Sequence, residues 1–398
     1  MTTSKPPTIR FKFLDGLRGL AALYVVITHF FVSDQFHGGS LVGWQRLLNS
    51  GLGFTLVGVL SVDIFIVLSG FSLMLPVTRS VDKHLRGGLL QYFKRRARRI
   101  LPPYYAALVI ALLMPILVWG LKFLMGLPVG KEWLPQYNFG DLISHIFLFH
   151  NLTQWNGTLD PPMWSVATEW QIYFVFPALL LPLRRKFGNA VVLIISCGIG
   201  LLPHFLLPEG HNFDQAYPWY VGLFTMGMVS ADVVSSTDLR KSKWTRYLLP
   251  STVLFIFFYF AFKFMERHTN PGLGELLAIT KSFWGGAAAS SLIIYCYLVV
   301  NHNKIGPGAK IVRLLEAPWA VTLGHFSYSI YLVHWFVLLF ADVITDAYHF
   351  GYISVLLFRA VVAIPVTLIV SYLFYLAFEQ PFTKNPQVMV QHSLGKPH

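Results

Sequence analysis

The sequence predicts an all-α, polytopic integral membrane protein. Of its 398 residues, 55% are hydrophobic and only 12% are charged, about half of the charged fraction of a soluble domain. The mean hydropathy is +0.56. Apolar runs of about 17–25 residues, the length that crosses a bilayer as a helix, recur along the whole chain. These observations predict about ten transmembrane helices and leave no room for a sizeable soluble domain.

The predicted spans follow one another along the chain with mostly short connections. They are placed at about 14–35, 54–76, 100–120, 164–183, 188–207, 218–234, 247–265, 276–300, 320–341 and 353–378. The first apolar run lacks a small-residue cleavage site, so we predict a retained span rather than a signal peptide. Residues 1–398 are therefore interpreted as a single membrane domain with a short cytoplasmic tail at 383–398.

The distribution of basic residues orients the spans. Lys and Arg collect in the cytoplasmic loops of membrane proteins. With ten spans and a cytoplasmic N-terminus, 24 of the 31 Lys and Arg residues fall on the cytoplasmic side, so both termini are predicted to be cytoplasmic. The same rule accounts for the net charge of +13 without nucleic acid as a partner. The predicted partner of these residues is the lipid bilayer.

Several polar side chains lie within the predicted spans, where an unpaired ionisable group is costly and therefore rare. The ionisable ones are His29, Asp63, Glu169 and His334, and Ser69 and Tyr173 are further candidates. At a rise of about 1.5 Å per residue, the ionisable groups fall in the middle and outer half of the bilayer, so they could line one polar cavity. A histidine titrates near neutral pH and suits removal of a proton from a hydroxyl.

Other kinds of site are poorly supported. The two cysteines, Cys197 and Cys296, both lie in predicted spans, which does not indicate a disulfide framework or a thiolate metal site. His145 and His150 are five residues apart, a spacing that does not place both on one helix face. No G-x-S-x-G turn is present to support a serine nucleophile. We therefore predict no metal site.

A basic cluster precedes the third predicted span. It contains Arg95, Arg96, Arg98 and Arg99. Arg96 and Arg99 are three residues apart and can bind phosphates from one helix face, and the same holds for the other two. The cluster would suit a cytoplasmic donor that carries several phosphates. Anionic lipid headgroups and a simple topological anchor would use the same residues.

Several motifs, in a fixed order along the chain, carry a resemblance to a known family. They are LDGLRGLA at 14–21 followed by His29, VDIFIVLSGF at 62–71, Arg96-x-x-Arg99 before Pro102, FHNL at 149–152, MWSVATEWQIY at 163–173, GHFSYSIYLVHW at 324–335 and FEQPF at 378–382. This ordered set resembles the acyltransferase type 3 family of integral membrane acyltransferases.

The resemblance implies a membrane O-acyltransferase. The acyl group is usually acetyl from cytoplasmic acetyl-CoA, and the acceptor is a carbohydrate hydroxyl, typically across a bacterial cytoplasmic (inner) membrane. It implies His29 as the catalytic histidine, Arg18 as its motif partner, and Glu169 as a catalytic or structural acid. It also implies that Arg96 and Arg99 bind the donor, and the neighbouring Arg95 and Arg98 are expected to assist them.

Some questions stay open at the level of sequence. Many members of the family carry an appended extracytoplasmic SGNH-type domain. We expect this chain to be the standalone form, so that a second transfer would need a separate extracytoplasmic acyltransferase partner.

The alternative function is a transporter or flippase for a lipid-linked sugar, with the intramembrane charges as a proton relay. A non-catalytic assembly scaffold is a third interpretation. The arginine cluster favours the enzyme, whose acceptor and choice between general-base and acyl-histidine catalysis are not determined.

Overall fold

The computed structural model describes residues 11–32, 43–127, 137–153, 159–207, 212–236, 243–301 and 308–383. These residues contain helices, turns and loops, and no strand. Their α-helices are α1 (Lys12–Phe31), α2 (Trp44–Thr55), α3 (Gly58–Thr78), α4 (Gly88–Leu124), α5 (Phe139–Ile146), α6 (Trp164–Val175), α7 (Leu181–Leu206), α8 (Tyr220–Ser235), α9 (Leu248–Arg267), α10 (Pro271–Asn301), α11 (Ala309–Leu315), α12 (Pro318–His325), α13 (Ser327–Ala347), α14 (Tyr352–Phe358), α15 (Ile364–Phe374) and α16 (Gln380–Thr383). The predicted all-α class is confirmed.

Eight helical segments of the described chain are long and apolar enough to cross a membrane. They are Lys12–Phe31, Trp44–Thr78, Gly88–Leu124, Pro161–Leu206, Thr245–Arg267, Gly272–Asn301, Ser327–Ala347 and Tyr352–Thr383. One of them contains two predicted spans, which meet at a bend where Gly188 has a φ of 82°. Another predicted span corresponds to α8, which has only 16 residues. The protein is therefore a polytopic membrane protein, while the count of ten and the cytoplasmic termini stay predictions.

Two breaks between helices were not predicted, and α4 begins at Gly88, well before the predicted start at residue 100. Helix α2 was not predicted, and it precedes α3 as a separate helix without buried residues. The predicted span at 320–341 is divided at Phe326, where φ is −119° and ψ is 22°, into α12 and α13. A hydropathy window cannot detect either break because the flanking residues stay apolar. The tail at 383–398 lies outside the described residues, apart from Thr383.

Contacts of unusually close approach at glycines hold the helices that carry the polar residues. A Cβ on Gly16 of α1 would lie 1.7 Å from the carbonyl oxygen of Leu315, at the end of α11. A Cβ on Gly70 of α3 would lie 2.0 Å from the carbonyl oxygen of Phe224 in α8. Small residues allow the backbones of membrane helices to approach this closely. The positions of α1 and α3 are therefore set by contacts that no larger residue could make.

Apolar side chains cover the outer surface of the helix assembly. Val109 and Ile116 of α4, Phe257 of α9 and Ile369 of α15 are all exposed. Such a continuous apolar exterior would be unfavourable in water and is expected of a surface that faces lipid. Many polar residues of the spans are consequently found inside the assembly, several of them between α1, α3, α4, α6 and α13.

Candidate active site

A cavity of about 90 Å³ lies between α1, α3, α4, α6 and α13. Its polar lining residues are Arg18, Ser69, Ser72, Arg96, Arg99, Ser165, Glu169, Tyr173, Ser327, Tyr328 and Tyr331, and its apolar ones are Val62, Phe65, Ile66, Ile100 and Val166. Six residues proposed from the sequence, on four different helices, are therefore brought together around one space.

One end of the cavity is formed by three arginines. Arg99 is exposed, while Arg18 and Arg96 are half-buried. The guanidinium of Arg18 donates to Ser72 Oγ at 2.5 Å, and its Nη1 lies 3.5 Å from an oxygen of Asp15. The three guanidinium groups gather positive charge at this end, which favours an anionic group of a ligand.

The other two arginines of the basic cluster do not line the cavity. Arg95 is exposed, and its guanidinium donates to the backbone carbonyl of Arg86 at 2.8 Å. Arg98 is also exposed. The structure thus separates two pairs that have the same spacing, because Arg96 and Arg99 face the cavity whereas Arg95 and Arg98 do not.

A chain of hydrogen bonds crosses the middle of the cavity. The hydroxyl of Tyr173 donates to Glu169 Oε1 at 2.5 Å, and the same hydroxyl lies 3.0 Å from Ser69 Oγ. Because the Tyr173 proton is directed to the carboxylate, Ser69 is the donor in the second bond. Arg96 adds a positive charge 6.0 Å from the Tyr173 ring. The predicted acid, Glu169, is therefore held in a fixed orientation beside a cation.

The buried end of the cavity is formed by Tyr331 and Ser165. The hydroxyl of Tyr331 donates to the backbone carbonyl of Pro162 at 2.8 Å and lies 2.6 Å from Ser165 Oγ. The ring of Tyr331 is 5.9 Å from the ring of His334, measured between centroids. Tyr331 therefore stands between the cavity and the intramembrane histidines.

His29 and His334 form a pair behind Tyr331. Their ring centroids are 5.2 Å apart, and neither residue lines the cavity. His334 Nδ1 lies 2.8 Å from the carbonyl oxygen of Tyr331, so Nδ1 carries the proton and Nε2 is the acceptor. That buried Nε2 has no hydrogen-bond partner among the described residues. His334 is thus oriented to accept a proton.

Asp63 does not line the cavity. It is fully buried, and its carboxylate faces α10, where a Cβ on Gly285 would lie 2.8 Å from Asp63 Oδ2. Of the four ionisable groups that were expected to share one cavity, Glu169 lines this one, and the two histidines meet behind Tyr331. Asp63 lies outside the cavity because of the rotation of α3 about its axis. Val62 faces the cavity, and the side chain of Asp63, the next residue, points about 100° away from it.

The sequence interpretation did not assign Ser165 or Tyr331 to the site. A signal was present for the first of them. Ser165, Glu169 and Tyr173 recur at intervals of four residues, which places them on one face of α6. Tyr331 had no comparable signal, because its role depends on contacts with residues that are distant in sequence.

Two other groups of titratable residues lie outside the cavity. Ligand atoms of His204, Asp214 and Glu275 lie within 4.8 Å of one another, close enough to share a cation, although His204 and Asp214 already bond to each other at 2.8 Å. His145 and His150 are stacked, with ring centroids 3.9 Å apart. Burial lowers the pKa of both of these imidazoles, that of His150 to about 3. The absence of a metal stays a prediction.

Comparison with known proteins decides the family. A family model described as an acyltransferase domain matches residues 11–376, which includes every cavity residue. The chain belongs to this acyltransferase family. The chain is 23% identical to the peptidoglycan O-acetyltransferase OatA of Listeria monocytogenes, with 94% of this chain and 56% of that protein aligned. It is 21% identical to the O-acetyltransferase OatA of Staphylococcus aureus, over 94% and 57% of the two chains.

The alignment with the OatA proteins is partial on their side. This chain spans somewhat more than half of the length of either relative. No solved structure matches the chain. The acyltransferase domain is thus established by the family, and α1, α3, α4, α6 and α13, which line the cavity, each carry one of the motifs.

Proposed function

We propose that this acyltransferase moves an acetyl group from acetyl-CoA to a hydroxyl of a cell-surface or exported carbohydrate, or of its lipid-linked precursor. The observation that carries the proposal is the cavity that begins at Arg18, Arg96 and Arg99 and ends at Tyr331, directly before the His29–His334 pair. A cationic entrance suits the phosphates of coenzyme A, and a histidine pair suits chemistry at a hydroxyl.

The size of the cavity supports a short acyl group. Its volume of about 90 Å³ is smaller than the ~150 Å³ cavity that accommodates benzene in another protein. An acetyl group would fit such a space, whereas a long acyl chain would require the helices to move apart. The relatives named O-acetyltransferases agree with this preference. One of them is named for peptidoglycan, which makes peptidoglycan one candidate acceptor among the cell-surface glycans.

The residues have distinct roles in the proposed reaction. The arginines at the cavity entrance bind the donor phosphates. His29 either removes the proton of the acceptor hydroxyl, whose oxygen then displaces the coenzyme A thiolate from the acetyl carbonyl, or itself displaces that thiolate and passes the acetyl group on to the hydroxyl oxygen. The Nε2 of His334 supplies a nearby acceptor for the hydroxyl proton, which finally protonates the departing thiolate. Glu169, oriented by Tyr173, neutralises part of the positive charge of the entrance. In the orientation predicted from the basic residues, the donor arrives from the cytoplasm and the enzyme resides in a bacterial inner membrane.

The proposal is tested with membranes that contain the protein and acetyl-CoA labelled in the acetyl group. Label should become bound covalently to glycan with the wild-type protein, and His29→Ala should reduce this transfer by at least about 100-fold, the lower end of a general base's contribution. His268→Ala is the matched control, because this histidine is exposed at the end of α9 and contacts its own helix. Movement of a lipid-linked sugar without covalent label would instead identify a transporter, and full activity of His29→Ala would remove His29 from the mechanism.

A further inference from the structure

Arg359 is a fully buried arginine that lies outside the cavity. Its exposed fraction is zero, and among the described residues it is one of the largest side chains that are fully buried. It begins a π-helical turn, Arg359–Ala363, between α14 and α15. A buried guanidinium is stable only when oxygen atoms surround it, so its partners indicate what it does.

The first partner of Arg359 is the end of α1. Its Nη1 donates to the backbone carbonyl of Phe30 at 2.9 Å. The last four carbonyls of a helix have no partner within the helix, and that end carries a partial negative charge which a cation stabilises. Arg359 therefore caps α1 at the residue that directly follows His29.

The second partner of Arg359 is on the helix that carries His334. Nη2 of Arg359 lies 2.5 Å from Oδ1 of Asp342. Asp342 is eight residues after His334 on α13, about 12 Å further along the axis and slightly more than two turns away. One guanidinium thus connects the helix of His29 to the helix of His334.

We propose that Arg359, held by Asp342, is a positioning residue that fixes the orientation of His29 relative to His334. The apolar side chains that pack between α1 and α13, among them Val26 and Ile330, attract each other without a preferred direction. The planar guanidinium, in contrast, bonds only in fixed directions. Rotation of α1 about its axis is consequently limited by the bond to Phe30. The catalytic part of this inference rests on the proposed function.

The test uses Arg359→Lys, which keeps the charge but removes the planar fork that reaches both partners. We expect kcat for acetyl transfer to fall by about 10- to 100-fold, the effect of misplacing a reacting group by about 1 Å. The KM for acetyl-CoA should stay within about twofold, because the arginines of the cavity are untouched. The rate at which diethyl pyrocarbonate modifies His29, followed by mass spectrometry on purified protein, should change at least about threefold.

The matched control is Arg184→Lys. Arg184 of α7 also makes a two-pronged ion pair, with Asp232 of α8 at 2.5 and 2.6 Å, and neither helix contributes to the cavity lining. This variant should leave kcat and the modification of His29 unchanged. If Arg359→Lys does not fold, Asp342→Asn is measured in its place. This variant keeps an oxygen atom opposite the guanidinium. It should therefore change kcat and the modification rate of His29 in the same direction as Arg359→Lys, but by a smaller factor.

Three outcomes decide the inference. Wild-type kcat and wild-type His29 modification in the folded Arg359 and Asp342 variants would overturn it. A rise in KM with unchanged kcat would also overturn it, since that pattern belongs to donor binding. A changed His29 modification in a protein that transfers no acetyl group would support the positioning role while refuting the proposed function.

Discussion

The imidazole rings of His29 and His334 lie 5.2 Å apart, although the two residues come from the first and one of the last long helices of the chain. Tyr331 separates this pair from the cavity, with its ring 5.9 Å from that of His334. Tyr331 therefore lines the cavity and also contacts the histidine pair through His334. The cavity and the histidine pair are thus neighbours, with Tyr331 in contact with both.

Replacement of single arginines in the basic cluster should show that Arg96 and Arg99 contribute to donor binding and that Arg95 and Arg98 do not. Arg99→Ala should raise the KM for acetyl-CoA by about 10- to 100-fold, because a charged hydrogen bond to a phosphate contributes about 1.5–3 kcal/mol. Arg98→Ala is the control, since Arg98 is exposed and does not line the cavity. Its KM should change by less than about threefold. Equal effects of the two substitutions would indicate that the cluster acts only through its total charge.

Removal of the Tyr173 hydroxyl should lower turnover. Tyr173→Phe deletes the group that connects Ser69 to Glu169, so the carboxylate loses its orienting donor. We expect kcat to fall by about tenfold, corresponding to the loss of one net hydrogen bond of about 1.4 kcal/mol. Tyr372→Phe, at an exposed position on α15, should have no effect in the same labelled-acetyl assay. An unchanged kcat in Tyr173→Phe would show that Glu169 needs no orientation.

A methyl group at Gly70 should destabilise the protein. Its Cβ would lie 2.0 Å from the carbonyl oxygen of Phe224, so α3 and α8 must move apart. We expect Gly70→Ala to reduce the free energy of unfolding by about 1–3 kcal/mol or more. Gly198→Ala is the control, because a Cβ there meets nothing within 4 Å and alanine favours a helix by about 0.5–1 kcal/mol. Thermal unfolding in detergent measures both, and equal melting temperatures would contradict the close packing.

Acid should destabilise the protein through the stacked histidines. Burial lowers the pKa of His150 to about 3, whereas the unfolded chain binds this proton near pH 6.5. The contribution of the neutral imidazole to stability is therefore complete above pH 6.5 and declines as the pH falls towards 3. Melting temperatures between pH 7.5 and 5 should decrease less in His150→Phe than in the wild type.

The control for this pH dependence is His325→Phe, at an exposed position on α12. It should follow the wild type at every pH, because the substitution leaves the buried pair of His145 and His150 untouched. A pH dependence of His150→Phe identical to that of the wild type would contradict the buried, neutral state of His150.

Much of the architecture could be predicted from local sequence. A bilayer requires a minimum apolar length, so the apolar runs indicated the position of every long helix. The family resemblance also predicted part of the site, since it singled out Arg96 and Arg99, which do face the cavity, whereas their spacing of three residues is shared by Arg95 and Arg98. The short helix α2 and the break at Phe326 could not be predicted in this way, because hydropathy reports how apolar a segment is and not where its backbone turns.

The sequence alone determined the class of the protein, an all-α membrane acyltransferase, and the residue types available for its chemistry. Only the tertiary structure decided which of these residues meet. Asp63 faces α10, Glu169 faces the cavity, and His29 meets His334. The reason is that the depth of a residue follows from counting along one helix, whereas the direction of its side chain depends on how that helix is rotated against its neighbours. Long-range contacts set that rotation, among them the close approach at Gly70 and the bond from Arg359 to Phe30.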